Sequence, residues 1–188
     1  MVFDTFPHIP VYGLDSGIPE HAAAAVPVRD RESETALTAL AQRMGSRLLV
    51  PEIWRHILPQ CGMLISSAIS GGSLSERFLT AAAAYPRRCW LLLEPLSMEF
   101  PLPCPDGIGT PISGPPEGHA FYSEDLCCYY THYIRNSQGF LVLFDTEDSL
   151  SKKRVLAQAS GFLGWAGPVE ICPSGAQQRQ LLPDGSVL

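Results

Sequence analysis

The chain has 188 residues, 46% of them hydrophobic and only 17% charged, with a net charge of −6 at neutral pH. That much apolar material excludes an intrinsically disordered chain, and the length suits one domain, residues 1–188, with its own core. The acidic balance excludes a broad nucleic-acid footprint, since the densest basic run is Lys152-Lys153-Arg154, and no stretch nears the roughly 20 apolar residues that span a bilayer.

Residues 1–29 form an extended N-terminal segment broken by Pro7, Pro10, Gly13 and Gly17, with one short strand expected over 9–14 and a helical turn in the alanine run of 21–28. Met1-Val2-Phe3-Asp4 lacks the basic start of a secretory leader. From 31 to 44 the period becomes helical, with Leu37, Leu40, Ala41 and Met44 on one face and Gly45 as the cap. Residues 47–50 read as a buried strand, 53–58 as a helical turn, and 62–69 as a second strand.

The next helix opens on a capping box, Ser73 with Glu76, and shows Leu74, Phe78, Ala81, Ala82 and Tyr85 on one face before Pro86 ends it. Residues 89–94 are a near-continuous apolar strand, of the kind buried on both faces of a parallel sheet. Residues 95–118 hold seven prolines and four glycines and read as one long loop, the length at which loops become functional. Residues 121–134 are aromatic-rich and fit helix or strand. Then come a strand over 140–145, a helix over 149–163, a last strand over 169–172, and a loose tail over 173–188. Strands alternating with amphipathic helices indicate an α/β fold: a mostly parallel sheet flanked by helices, with a partial or small barrel as one form of it.

Three groups of residues could carry chemistry. Ser70-Gly71-Gly72-Ser73 joins a buried strand to a capped helix, where backbone N–H groups and the helix dipole favour an anion; a tight turn that needs glycine explains the same residues. No Walker lysine and no GxGxxG accompany it, so no nucleotide or other cofactor is expected. His119, Glu124, Asp125, Cys127, Cys128 and His132 are ligand types within fourteen residues, but their spacing fits no zinc site, and no metal is expected. Glu94, Glu99 and Asp145 are acids at or just beyond strand ends, the edge where barrel and doubly wound folds place active sites; they are the candidates for acid–base work, with turn and cap roles as the plain alternative. No GxSxG elbow occurs. The six cysteines, Cys61, Cys89, Cys104, Cys127, Cys128 and Cys172, are scattered and read as reduced thiols, which places the chain in the cytoplasm.

Residues 89–113 and 129–164, through Phe-Asp-Thr-Glu-Asp-Ser-Leu-Ser-Lys-Lys-Arg and on to Gly-Phe-Leu-Gly, resemble a late strand, loop and following unit of the family 18 glycoside hydrolases. That family's DxxDxDxE motif, which carries its proton donor, is absent, and its Tyr-Gly-Tyr-Asp-Trp loop is replaced by Ser97-Met98-Glu99-Phe100. The resemblance implies a shortened, inactive relative to which no catalytic residue carries over. Two functions follow. One is a non-catalytic binding or scaffold domain with a cleft at the strand ends lined by Trp90 and Phe100. The other is a small enzyme whose acids converge with the Ser70–Ser73 turn on an anionic or sugar ligand. The low charge leaves much of the surface neutral, which suits a protein partner or self-association; no membrane contact is expected.

Overall fold

The computed structural model describes residues 6–19, 21–113 and 119–167. Its first sheet holds six short parallel strands: β1 (His8–Ile9), β2 (Ala24–Ala25), β3 (Leu48–Pro51), β4 (Gly62–Ser66), β5 (Cys89–Leu92) and β11 (Trp165–Ala166). They lie in the order β1-β11-β5-β4-β3-β2. An isolated parallel bridge between Val11 and Ala25, with Tyr12 N–H donating to Ala25 O at 2.9 Å, brings the two edges together, so the sheet is a nearly closed small barrel. Parallel neighbours need crossovers, and α1 (Glu34–Met44), α2 (Leu74–Ala84) and α3 (Glu147–Ala159) supply three of them.

The alternation of each strand sorts its side chains into two layers. Outward residues such as Leu48, Val50, Met63, Ile65, Leu91 and Trp165 meet Leu37, Leu40, Ala41 and Met44 of α1 and Leu74, Phe78 and Ala81 of α2. Those are the faces that the helical periods pick out. Inward residues, Ile9, Ala25, Leu49, Leu64, Leu92 and Ala166, form a second cluster that fills the barrel, with Trp90 packed against it. Barrel width grows with strand number, so six strands enclose little room. A Cβ on Gly62 would stand 2.4 Å from Leu49 Cδ2, and one on Gly164 would stand 2.4 Å from Trp90 Cζ3.

Between β5 and α3 the chain leaves the barrel and builds a second sheet, antiparallel throughout: β6 (Ser97–Leu102), β7 (Thr110–Pro111), β8 (Phe121–Ser123), β9 (Cys128–Arg135) and β10 (Gln138–Phe144), in the order β7-β6-β10-β9-β8. Residues 95–118 are therefore not one loop. β6 pairs along its whole length with β10, and Pro101 and Pro103 sit where β6 runs out. The 140–145 strand belongs to this sheet and not to the parallel one, and the alanine run is strand β2, not a helical turn. The expected strand at 169–172 and the tail beyond it lie outside the described residues.

Five cysteines, Cys61, Cys89, Cys104, Cys127 and Cys128, are free thiols. Among the described residues no helix is long and apolar enough to cross a membrane.

Candidate functional site at the barrel rim

The C-terminal ends of β4 and β5 bring polar groups together where the strands run out. Apolar strand β4 ends in Ser66, followed by Ser67; β5 is followed by Leu93 and Glu94. Glu94 Oε2 accepts from Ser66 Oγ at 2.5 Å and from Arg29 Nη2 at 2.7 Å. Arg29 arrives from the segment after β2, the strand beyond β3. The Glu94 backbone is fastened as well: its N–H donates to Ser67 Oγ at 3.1 Å, and that hydroxyl donates to Glu94 O at 3.2 Å. Ser66 Oγ also accepts from Ala68 N–H at 3.1 Å. The Glu94 side chain is 32% exposed and that of Arg29 51%, so the pair is open to solvent at the rim.

The geometry of this group is asymmetric. Oε2 is saturated by two donors, while the described contacts leave Oε1 open as an acceptor. The guanidinium likewise uses one nitrogen on Glu94 and keeps its other N–H donors. An open acceptor thus stands beside open donors, on a group whose charges cancel.

The other candidate acids lie elsewhere, with partners of their own. Glu99, on β6, accepts from Tyr133 Oη and from Arg135 Nη2 at 3.1 Å. The Arg135 guanidinium lies 4.5 Å from the Phe140 ring centroid, so this cluster braces one face of the second sheet. The hydrogen bond to Glu99 is the main reason the Tyr133 phenol titrates above its ordinary range. Asp145 follows β10, and its side chain is wholly enclosed, as is that of Lys153. Its Oδ2 accepts from Lys153 Nζ at 2.7 Å and from Leu96 N–H at 2.8 Å, and its Oδ1 accepts from Ser149 Oγ at 2.7 Å. Glu94, Glu99 and Asp145 share no partner.

The ligand-lining candidates are placed apart as well. Trp90 is four residues before Glu94, about 13 Å along the strand direction, and packs inside the opposite, N-terminal end of the barrel against Gly62 and Gly164. Phe100 is buried in the core of the second sheet with Leu96, Cys128 and Leu143, beneath Gly109. Trp90 is thus partly buried in the barrel and Phe100 buried in the second sheet. Ser70, Gly71 and Gly72 are exposed in the loop after β4, and Gly72 takes φ +79°, which requires glycine. Ser73 caps α2 by accepting from Glu76 N–H at 3.4 Å, while Leu74 N–H donates to Asp125 O at 2.7 Å. The N–H groups of Leu74 and Glu76, two of the helix's opening donors, therefore have partners within the protein.

Among the described residues no three His, Cys, Asp or Glu side chains gather as a metal site. Cys127 and Cys128 point into different cores, one beneath the barrel helices and one in the second sheet, and His132 stacks on Phe121. Burial pushes Cys61, Cys89 and Cys128 up to about 11, the range of buried thiols and not of nucleophiles.

Sequence reasoning missed Arg29, Ser66, Ser67 and Lys153. Ser66 and Ser67 carried a signal, two hydroxyls closing the apolar run Met63-Leu64-Ile65. Arg29 carried none, because nothing local links it to a residue 65 positions away.

No family model matches the sequence, and no curated protein sequence matches it. Solved structures similar to the chain include the spore cortex-lytic enzyme SleL of Bacillus megaterium QM B1551, at 13% identity and a TM-score of 0.49, with 77% of this chain covering 44% of that one. SleL of Bacillus cereus gives 13% identity and a TM-score of 0.47, with the same coverages. The putative sporulation-specific glycosylase ydhD of Bacillus subtilis gives 13% and 0.47, with 77% of this chain covering 65% of that one. The chain thus matches less than half of each SleL chain, and no family 18 assignment follows.

Proposed function

We propose that this protein is a non-catalytic binding domain that holds a neutral, hydroxyl-rich ligand such as a carbohydrate at the rim of its barrel. The observation that carries this reading is the Arg29–Glu94–Ser66 group. Its charges cancel, so it offers an anion little net attraction. Its open acceptor beside open donors suits neighbouring hydroxyls, each of which both donates and accepts. Acid–base cleavage of a glycosidic bond ordinarily needs a second carboxylate across the bond, about 5–10 Å away. The other two candidate acids have both oxygens engaged in clusters of their own, and Oε2 of Glu94 already accepts from two donors.

The experiment is a titration of the ¹⁵N-labelled protein with cellobiose and, separately, with glucuronic acid, alongside an assay for released reducing ends. Cellobiose should shift the amides of Ser66, Ser67, Ala68 and Glu94. Glu94→Gln and Arg29→Ala should each weaken that binding about tenfold, the scale of one hydrogen bond to a charged group. No reducing ends should appear. Turnover that disappears in Glu94→Gln would establish the enzyme reading instead, and preference for glucuronic acid would make the ligand an anion.

A further inference from the structure

Glu94 lies in the segment by which the chain leaves the barrel for the second sheet. The segment by which it returns is fastened to that exit two residues further on. Asp145 N–H donates to Leu96 O at 2.7 Å, and Leu96 N–H donates to the Asp145 carboxylate at 2.8 Å. The same carboxylate is gripped from α3 by Ser149 Oγ and Lys153 Nζ, each at 2.7 Å. Both charged side chains are fully enclosed. Anchoring a helix to a strand needs no charges, since apolar packing does it without removing ions from water. What the ion pair adds over apolar contact is direction, because a carboxylate with three hydrogen-bond donors on it tolerates one arrangement of its neighbours.

We propose that Asp145 and Lys153 are positioning residues for the rim: the enclosed pair fixes the exit and return segments of the second sheet and thereby holds Glu94 against Arg29 and Ser66. The route is short. Asp145 holds the Leu96 amide; Pro95, between Leu96 and Glu94, has a φ locked by its ring and cannot absorb a displacement by rotating there. On its other side the Glu94 backbone is held by the Ser67 hydroxyl. Glu94 therefore sits between two fasteners, one on the barrel and one at the enclosed pair. The acid that the sequence nominates for chemistry acts here through its neighbour.

The inference rests on the rim being the binding site, and the test separates the two. Three variants of the full chain are compared with the parent: Lys153→Met, the charge-free Asp145→Asn with Lys153→Met, and the milder Ser149→Ala, which loosens the carboxylate while leaving the pair intact. Amide hydrogen exchange is read at Glu94, and at Met63 and Leu91 as barrel references. The cellobiose dissociation constant is read on the folded protein. Exchange at Glu94 should rise at least tenfold relative to the references, and cellobiose binding should weaken at least fivefold in the double variant. If Lys153→Met does not fold, the double variant and Ser149→Ala decide. A uniform rise at all three amides, with unchanged cellobiose affinity, would make the pair a plain stabiliser and overturn the proposal. If the parent binds no cellobiose, the rim reading falls, and exchange at Glu94 still decides whether the pair positions it.

Discussion

Gly164 is the position where the narrow barrel is least forgiving. A Cβ there would stand 2.4 Å from Trp90 Cζ3 and 2.5 Å from the Pro7 carbonyl oxygen, and the second of these belongs to backbone that cannot swing aside. Gly164→Ala should cost roughly 3 kcal/mol, the upper range for overpacking a close-packed interior. Gly71, also in a loop beside the barrel, has open space around its Cβ position, and Gly71→Ala should fall within about 0.5 kcal/mol of the parent. Urea denaturation of both variants checks this. Equal stabilities would mean that the interior is looser than its contacts indicate. Trp90→Leu in the Gly164→Ala background should restore part of the loss and not all, because the Pro7 contact stays.

At the scale of elements, the helix starts differ in a measurable way. α3 opens on a reciprocal box in which Ser149 N–H donates to Thr146 Oγ1 at 3.3 Å and Thr146 N–H donates to Ser149 Oγ at 2.9 Å. α2 has one arm only, and it is long: Glu76 N–H to Ser73 Oγ at 3.4 Å, with that hydroxyl shared by Ser75 at 2.9 Å. Thr146→Ala should therefore cost about 1–2 kcal/mol and Ser73→Ala nearer 0.5 kcal/mol, within the range of cap deletions. Thermal melts that reverse this order would show that hydrogen-bond geometry does not rank the caps. The sequence expects the full box at Ser73 because it matches Ser-x-x-Glu; the Thr146–Ser149 box was missed because its return partner is a serine. The buried faces of α1 and α2 were legible because Leu37, Leu40, Ala41, Met44, Phe78 and Ala81 repeat at helical spacing, a local property. β6 was not, because Ser97, Glu99 and Pro101 carry no strand preference and β10, its partner, lies about 40 residues on. Glu94 is nominated by its position alone. Asp145 is nominated on the same ground, but its environment depends on Lys153, which reads locally as one of three surface cations.

For the molecule as a whole, the buried thiols set an alkaline limit common to both cores. Cys61 and Cys89 lie in the core between the barrel and its helices, and Cys128 in that of the second sheet. Burial raises each from 9.0 to about 11. Between those values the unfolded chain has lost these protons while the folded protein keeps them, so unfolding becomes easier as pH rises. Stability should hold below about pH 9 and then fall towards pH 11, by up to roughly 1.4 kcal/mol per pH unit for each thiol. Chemical denaturation at pH 8 and pH 10.5 measures the difference, and replacing Cys61, Cys89 and Cys128 by alanine should flatten it. An unchanged slope in that triple variant would place the alkaline limit elsewhere.

The closure of the barrel through Val11 and Ala25 also sets an order of events during synthesis. β1 emerges from the ribosome well before β11, yet one of its flanks pairs with that strand, where His8 meets Trp165. More than 150 residues must be made before that partner exists, roughly 10–30 s at ordinary elongation rates. Until then β1 has the Val11–Ala25 bridge to β2 beside it. Pairings this distant carry a high contact order, which slows folding and prolongs exposure of the flank that waits. A strand made early is completed late, and the interval between the two is when the nascent chain is most open to capture by a chaperone or by a neighbouring copy of itself.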